Sequence, residues 1–264
     1  MKKIPFAPAI LSLLASPFTL AQENNMGFIP RAAIGFSNYN FTQSPRPNLL
    51  PDGSDFPSVE FDVTFLMLGV GGTFFINNFY LDLYLQQSSD EKDQFEITTP
   101  LVFSEEFKGD RQDYAISAGI KLMEGQVGLY TGYKVGESEA SGTQGTHLTF
   151  KEDGFFVGAN YALPIAEAGV LSFNLAYAFL DGQLDETATP VFGPSFGIDA
   201  ESDATGLSYG ASWSGAINKQ INYALGIDAN HYEFDDVKNN GSTNPPNQFE
   251  EDFVTVKLSL SYRF

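Results

Sequence analysis

The sequence predicts an all-β fold: a ten-stranded antiparallel transmembrane up-and-down β-barrel with short turns at one end and long loops at the other. Three observations predict it. Segments of about ten residues alternate apolar with small or polar side chains, as strands with one lipid-facing side do. Their connectors alternate short and long, and the alternation runs to the last residue in "VKLSLSYRF", residues 256–264.

In chain order, residues 1–21 come first. Met1-Lys2-Lys3 is a basic start, an apolar run broken by Pro8 and Pro17 follows, and small residues lead up to Ala21. This reads as an export signal cleaved after Ala21, leaving 22–264 as the barrel. The first strand places Ile34 and Phe36 outward. The second is apolar on both parities, and its turn decides between them. Asn77-Asn78 is a two-residue hairpin loop, so Ile76 shares a face with Phe79, and Leu66, Leu68, Val70 and Phe74 follow it outward. The remaining outward sets start at Phe79, Tyr114, Val127, Phe155, Leu171, Leu207, Ile221 and Val254, each continuing at every second residue. Short turns are expected at 77–78, 123–126, 164–169 and 218–220. Long loops are expected at 43–58, 88–111, 137–153, 181–204 and 235–251. That asymmetry puts the turns and both termini on the periplasmic side and the loops outside.

Composition narrows the function classes. The chain has no cysteine, which excludes disulfides, thiolate catalysis and Cys-ligated zinc. The formal charge is -19, so its surface repels nucleic acid, and no nucleic-acid partner is expected. Aromatics make up 14% of the chain, against the composition of a disordered acidic chain. A soluble β-sandwich would show Lys, Glu and Thr on its second parity. Here that parity is Gly, Ala, Ser, Asn and Tyr, which suits the inside of a narrow barrel.

The chain end resembles the C-terminal assembly signal of bacterial outer-membrane proteins. Lys257 stands at its polar position and Tyr262 and Phe264 at its aromatic positions, while Ser259 replaces the preferred Gly. The resemblance implies a porin-like or small outer-membrane barrel recognised by the barrel-assembly machinery, with lipid and lipopolysaccharide as surroundings.

Candidate site residues fall into three groups. The inward parity carries Asp82, Lys121, Lys134, Asp228, Lys257 and Arg263, together with Tyr80, Tyr84, Tyr130, Asn160, Asn174 and Asn222. Buried charges need partners, and the expected pairs are Asp228 with Lys257 and Asp82 with Lys121. Ten strands lie below the size that encloses a wide channel, so the lumen reads as a polar plug or a narrow conduit. The membrane girdles are assigned to Phe79, Tyr133, Phe155, Phe179, Tyr209, Trp213 and Tyr223. The third group is acidic: Asp181, Asp185, Glu186, Asp199, Glu201 and Asp203 occupy 181–204 without a Lys or Arg. Such a stretch suits divalent cations, lipopolysaccharide or a basic partner.

No enzyme, cofactor or resident metal is expected. The histidines are His147 and His231, and neither fits the pattern of omptin-like proteases of this membrane. Asp228 and His231 are three apart, which puts them on opposite faces of a strand. "DAESDATG" at 199–206 lacks the glycine that a calcium loop needs at its sixth position.

Overall fold

A computed structural model of the 264-residue chain describes residues 26–45, 48, 53–55, 58–97, 103–143, 145–188, 196–239 and 248–264. The export signal assigned to 1–21 lies outside them. The strands are β1 (Met26–Gln43), β2 (Val59–Ile76), β3 (Phe79–Ser88), β4 (Glu91–Ile97), β5 (Phe103–Leu122), β6 (Val127–Gly142), β7 (His147–Ile165), β8 (Gly169–Ala188), β9 (Phe196–Ala216), β10 (Ile221–Asn239) and β11 (Phe249–Tyr262). Each pairs antiparallel with its neighbours in the order β3-β2-β1-β11-β10-β9-β8-β7-β6-β5-β4, and a β3–β5 ladder closes the ring.

Eleven strands make ten walls because β3 and β4 are one strand with a break. Gln87 pairs with Gln112 and Glu91 with Gly109, so three residues on one side oppose two on the other. This is a β-bulge. Below it β3 pairs with both β2 and β5; above it β4 pairs with β5 alone.

The register bears out the expected facing. Ile76 pairs with Phe79 across Asn77-Asn78, and Asn77 takes the left-handed conformation at φ 52° that this tight turn requires. At 218–220, the Asn218 side-chain oxygen accepts the backbone N–H groups of Gln220 and Ile221, each at 2.8 Å. Around the middle of the barrel the exposed side chains are apolar: Phe36, Leu68, Leu83, Ile116, Leu129, Leu175, Leu225 and Leu258. This continuous apolar belt faces lipid.

The long loops are a correction. The strands run on through much of 88–111, 137–153, 181–204 and 235–251, though not of 43–58, and Asp181, Asp185, Glu186, Asp199, Glu201 and Asp203 all lie on β8 and β9. A transmembrane strand needs only about 9–11 residues, yet β5 and β8 have 20 and β9 has 21. The excess stands outside the membrane. There the facing pattern inverts. On β10 the outward residues are Tyr223, Leu225 and Ile227 within the belt, then His231, Glu233 and Asp235 above it, while Tyr232 and Phe234 turn inward and are fully buried. On β8, Phe179 is the last outward aromatic before Asp181, and inward alanines give way to Leu180 and Leu184. Lipid favours apolar side chains outside; water above the membrane favours them inside, so one strand obeys both solvents in turn.

Candidate functional site

The described side chains inside the wall fall into tiers. Nearest the turns, Arg31 donates to both carboxylate oxygens of Asp82 at 2.7 and 2.6 Å, while the Thr73 hydroxyl donates to the same group at 2.5 Å. This corrects the pairing expected for Asp82, since Lys121 instead sets its ammonium 4.9 Å from the centre of the Phe75 ring. The geometry explains the swap: Thr73 pairs directly with Asp82, and Arg31 reaches across from the next strand. In the middle tier Lys257 and Asp228 lie 3.5 Å apart, the pair expected from sequence, and Lys257 sits 5.5 Å from the Tyr84 ring centre. Tyr80 and Tyr130 are buried against glycines of neighbouring strands, where a Cβ at Gly119 or Gly158 would strike their rings. Asn160, Asn174, Asn222 and Arg263 keep the inward parity at half-burial.

The third tier lies above the belt and carries a cluster that the sequence reading missed. Arg111 is 1% exposed and contacts three acids, Asp113 at 2.9 Å, Glu152 at 2.7 Å and Glu251 at 3.2 Å. It also donates to the Ser138 hydroxyl at 2.7 Å and lies 4.3 Å from the Phe253 ring centre. Lys134 pairs with Glu152 and donates to the Tyr232 hydroxyl at 3.2 Å. The Tyr39 hydroxyl donates to Glu251 at 2.9 Å. Two cations thus face three carboxylates, and a buried surplus charge is costly. A proton on one of the carboxylates would remove the surplus. Burial, together with the adjacent charge of Glu152, pushes the Glu251 carboxyl well above the ordinary range. Burial also opposes ionisation of Glu152, but Lys134 and Arg111 outweigh it and hold that carboxyl well below.

Arg111, Glu152 and Glu251 escaped notice because the sequence reading stopped the strands at the end of apolar alternation. Continuing each strand by parity would have put all three inside. Arg31 was missed for another reason: the parity set by Ile34 and Phe36 was not carried back along "PRAAIGF" to Arg31.

Above the charged tier the lumen becomes an aromatic core. Phe150 packs against Phe41, Phe234 and Phe249 with ring centres 5.2, 5.0 and 6.1 Å apart, and all four are 3% exposed or less. These side chains come from β1, β7, β10 and β11, so they meet across the barrel.

On the outer wall, Phe79, Phe155, Phe179 and Tyr209 are exposed, and Tyr133, Trp213 and Tyr223 half-exposed, all on the lipid-facing parity. Directly above Tyr133, Phe155 and Phe179 runs a ladder of aspartates. Asp153 pairs with Asp181, Asp181 with Asp203, and Asp203 with Asp235, one from each of four consecutive strands. Like charges directly opposite one another destabilise a sheet. Relief within the chain is partial: the Tyr133 hydroxyl donates to Asp153, and Lys238 reaches Asp203 at 3.2 Å. Asp181, Asp203, Glu233 and Asp235 line a shallow groove of about 530 Å³ together with Tyr133, Phe155 and Phe179. Among the described residues no group of three His, Cys, Asp or Glu is arranged to hold a metal ion.

The histidines are apart. His231 lies on the outer wall of β10 between Asp252, 2.8 Å from Nδ1, and Glu233, 3.0 Å from Nε2. His147 is at the β6–β7 end beside Ser141 and Thr149, at 3.0 and 3.3 Å.

No family model and no curated protein matches the chain. Solved structures do. The outer membrane protease OmpT from Escherichia coli is similar with a TM-score of 0.59 and 11% identity, covering 94% of this chain and 100% of that one. The translocator domain of the autotransporter NalP from Neisseria meningitidis gives a TM-score of 0.46 and 12% identity, over 92% of this chain and 90% of that one. Neisserial surface protein A gives 0.37 and 10%, over 90% and 97%. At these identities the likeness concerns fold. Taken with the closed ten-strand wall and its lipid-facing belt, the likeness to OmpT gives the chain the fold of the bacterial outer-membrane β-barrels.

Proposed function

We propose that this protein is a sealed barrel that works at its outer surface, where the aspartate ladder takes up divalent cations and, through them, the phosphates of lipopolysaccharide. The ladder carries the reading. Four carboxylates at one level, set just above the aromatic edge of the belt, stand where lipid headgroups stand. Their mutual repulsion is relieved when a cation shared with a headgroup phosphate settles among them. The binding is diffuse rather than a built metal centre, in keeping with the spacing of the carboxylates along the sheet. Purified barrel in lipopolysaccharide-containing vesicles should melt several degrees higher with millimolar Mg²⁺ than with chelator. Asp181→Asn with Asp203→Asn should lose most of that gain. An equal Mg²⁺ response in the double variant would refute the ladder.

The fully buried tiers support sealing over a narrow porin-like conduit. Arg111, Tyr232, Phe150, Phe234 and Phe249 occupy the cross-section that a solute would need. Asp82, Asp228, Lys121 and Lys257 then act as struts of the lower lumen. In planar bilayers the protein should produce no steady conductance steps.

Proteolysis, the activity named for OmpT, is not part of this reading. His231 is held on the lipid-side parity by Asp252 and Glu233, and His147 sits three strands away, at the start of β7. A peptide-cleavage assay should give no product, with or without His231→Ala. During biogenesis, Tyr262 and Phe264, whose ring centres are 4.9 Å apart on the outer face, serve as the tag read by the barrel-assembly machinery. Deleting Phe264 should lower the yield of folded protein in the outer membrane.

A further inference from the structure

Inside the wall, exposure changes at one level. On β11 the inward residues Ser261, Ser259 and Lys257 are half-buried, while the next two, Thr255 and Phe253, are 6% and 1% exposed. The same change falls between Ala33 and Ser37 on β1, between Asn174 and Ala176 on β8, and between Gly158 and Phe156 on β7. Four strands thus mark one closure, and the space beneath it is a blind polar well that opens at the turn end. At the closure Tyr130 packs against Phe156 with ring centres 6.1 Å apart, and the Ser37 and Thr255 hydroxyls bond at 2.8 Å. The Tyr130 and Ser212 hydroxyls have no hydrogen-bond partner in the chain, although the two residues are only 5% and 8% exposed. Buried polar groups are nearly always satisfied, so water or a ligand in the well completes them.

We infer that this well binds a small hydroxylated anion, with the chemistry of a sugar acid. Charge sets the sign. Between the turns and the closure, the described inward residues carry four cations, Arg31, Lys121, Lys257 and Arg263, against two acids, Asp82 and Asp228. Each acid already has a cation beside it, Arg31 at 2.6 Å from Asp82 and Lys257 at 3.5 Å from Asp228. The described lining of the well is therefore positive, in a chain whose formal charge is -19. Low-dielectric walls focus such a field on an anion within them. The hydroxyl groups of the ligand are met by amides and hydroxyls. Asn160 and Asn174 pair directly across β7 and β8, and Tyr130 pairs with Gly158, one inward step above Asn160. Ser212 and Ser259 add two more groups that both donate and accept. Ten strands leave room for a small molecule only. The well ends below the sealing tiers, so binding here needs no passage through the barrel and is separate from the ladder outside.

The chain has no cysteine, so single cysteines can probe the well in the full protein held in nanodiscs. Asn174→Cys should react about fivefold faster with an anionic methanethiosulfonate than with a cationic one of similar size, each rate taken relative to a free thiol. Ala178→Cys, two inward steps higher where the native residue is 1% exposed, should react with neither. Millimolar gluconate should slow the Asn174→Cys reaction severalfold, while sorbitol, its neutral counterpart of the same chain length, should not. Adding Lys121→Gln and Arg263→Gln should abolish the preference for the anionic reagent. A faster cationic reagent, equal slowing by sorbitol or no slowing by gluconate would overturn the anion. An unreactive Asn174→Cys, or a reactive Ala178→Cys, would overturn the blind well itself. If Asn174→Cys does not fold, Asn160→Cys, opposite it on β7, makes the same test. The Mg²⁺ response of the outer ladder is read on a chain without these changes, so either reading can fail alone.

Discussion

At the scale of single residues, the lumen is governed by pairing. Arg111 serves three acids at once, and its removal leaves them facing each other with only Lys134 nearby. Breaking a buried ion pair from one side costs about 3–5 kcal/mol. Arg111→Ala should therefore lower the unfolding midpoint in denaturant markedly, more than Arg111→Met, which keeps the packing of the stem. Glu251 makes the pH dependence. Its folded-state pKa is raised, so its contribution to stability is complete below the unfolded value of about 4.3 and is lost as pH rises through the folded value. Glu152 has the opposite sign: its lowered pKa contributes above the unfolded value and is lost on acidification. The two together give a stability maximum, and Glu251→Gln should flatten its alkaline side alone. Equilibrium unfolding between pH 5 and 9 measures this; an unchanged alkaline slope in Glu251→Gln would remove the proton from the cluster.

At the scale of elements, the strand is the unit in which legibility began and ended. Wherever apolar and small residues alternate, as in "LSFNLAYAF" on β8, the sequence reading placed the strand, its facing and its turn, and Lys257 found Asp228 as expected. It stopped at Phe179 because Asp181, Gln183 and Asp185 look like a loop. The signal was there in the other parity, since Leu180 and Leu184 take over as the apolar set. A change of solvent along the strand exchanges the two faces without ending it. The β3–β4 bulge was illegible for a different reason: a one-residue mismatch depends on the register of β5, which no local pattern records. The aromatic core at the top should behave as a packed interior. Phe150→Ala, with its ring contacts to three other strands removed, should cost about 3–5 kcal/mol, readable as a lower melting temperature in detergent. It should still give silent bilayers, because the charged tier beneath remains closed.

At the scale of the whole molecule, the chain is two constructions sharing ten walls. The lower one is held by lipid against an apolar belt around paired polar struts; the upper one is held by water against an aromatic interior. The acidic ladder marks their border on the outside, and the Arg111 cluster lies just above it within. Denaturant distinguishes the two constructions. Urea weakens burial from water but acts little on a surface solvated by lipid. Amides of residues 230–235 should therefore gain exchange in urea concentrations that leave residues 222–228 of the same β10 strand protected. A single strand would then report two melting points. The fold would have a fault line at the level where the outward residue changes from Ile227 to His231, and the membrane would act as a clamp on half of a protein whose other half unfolds as soluble proteins do.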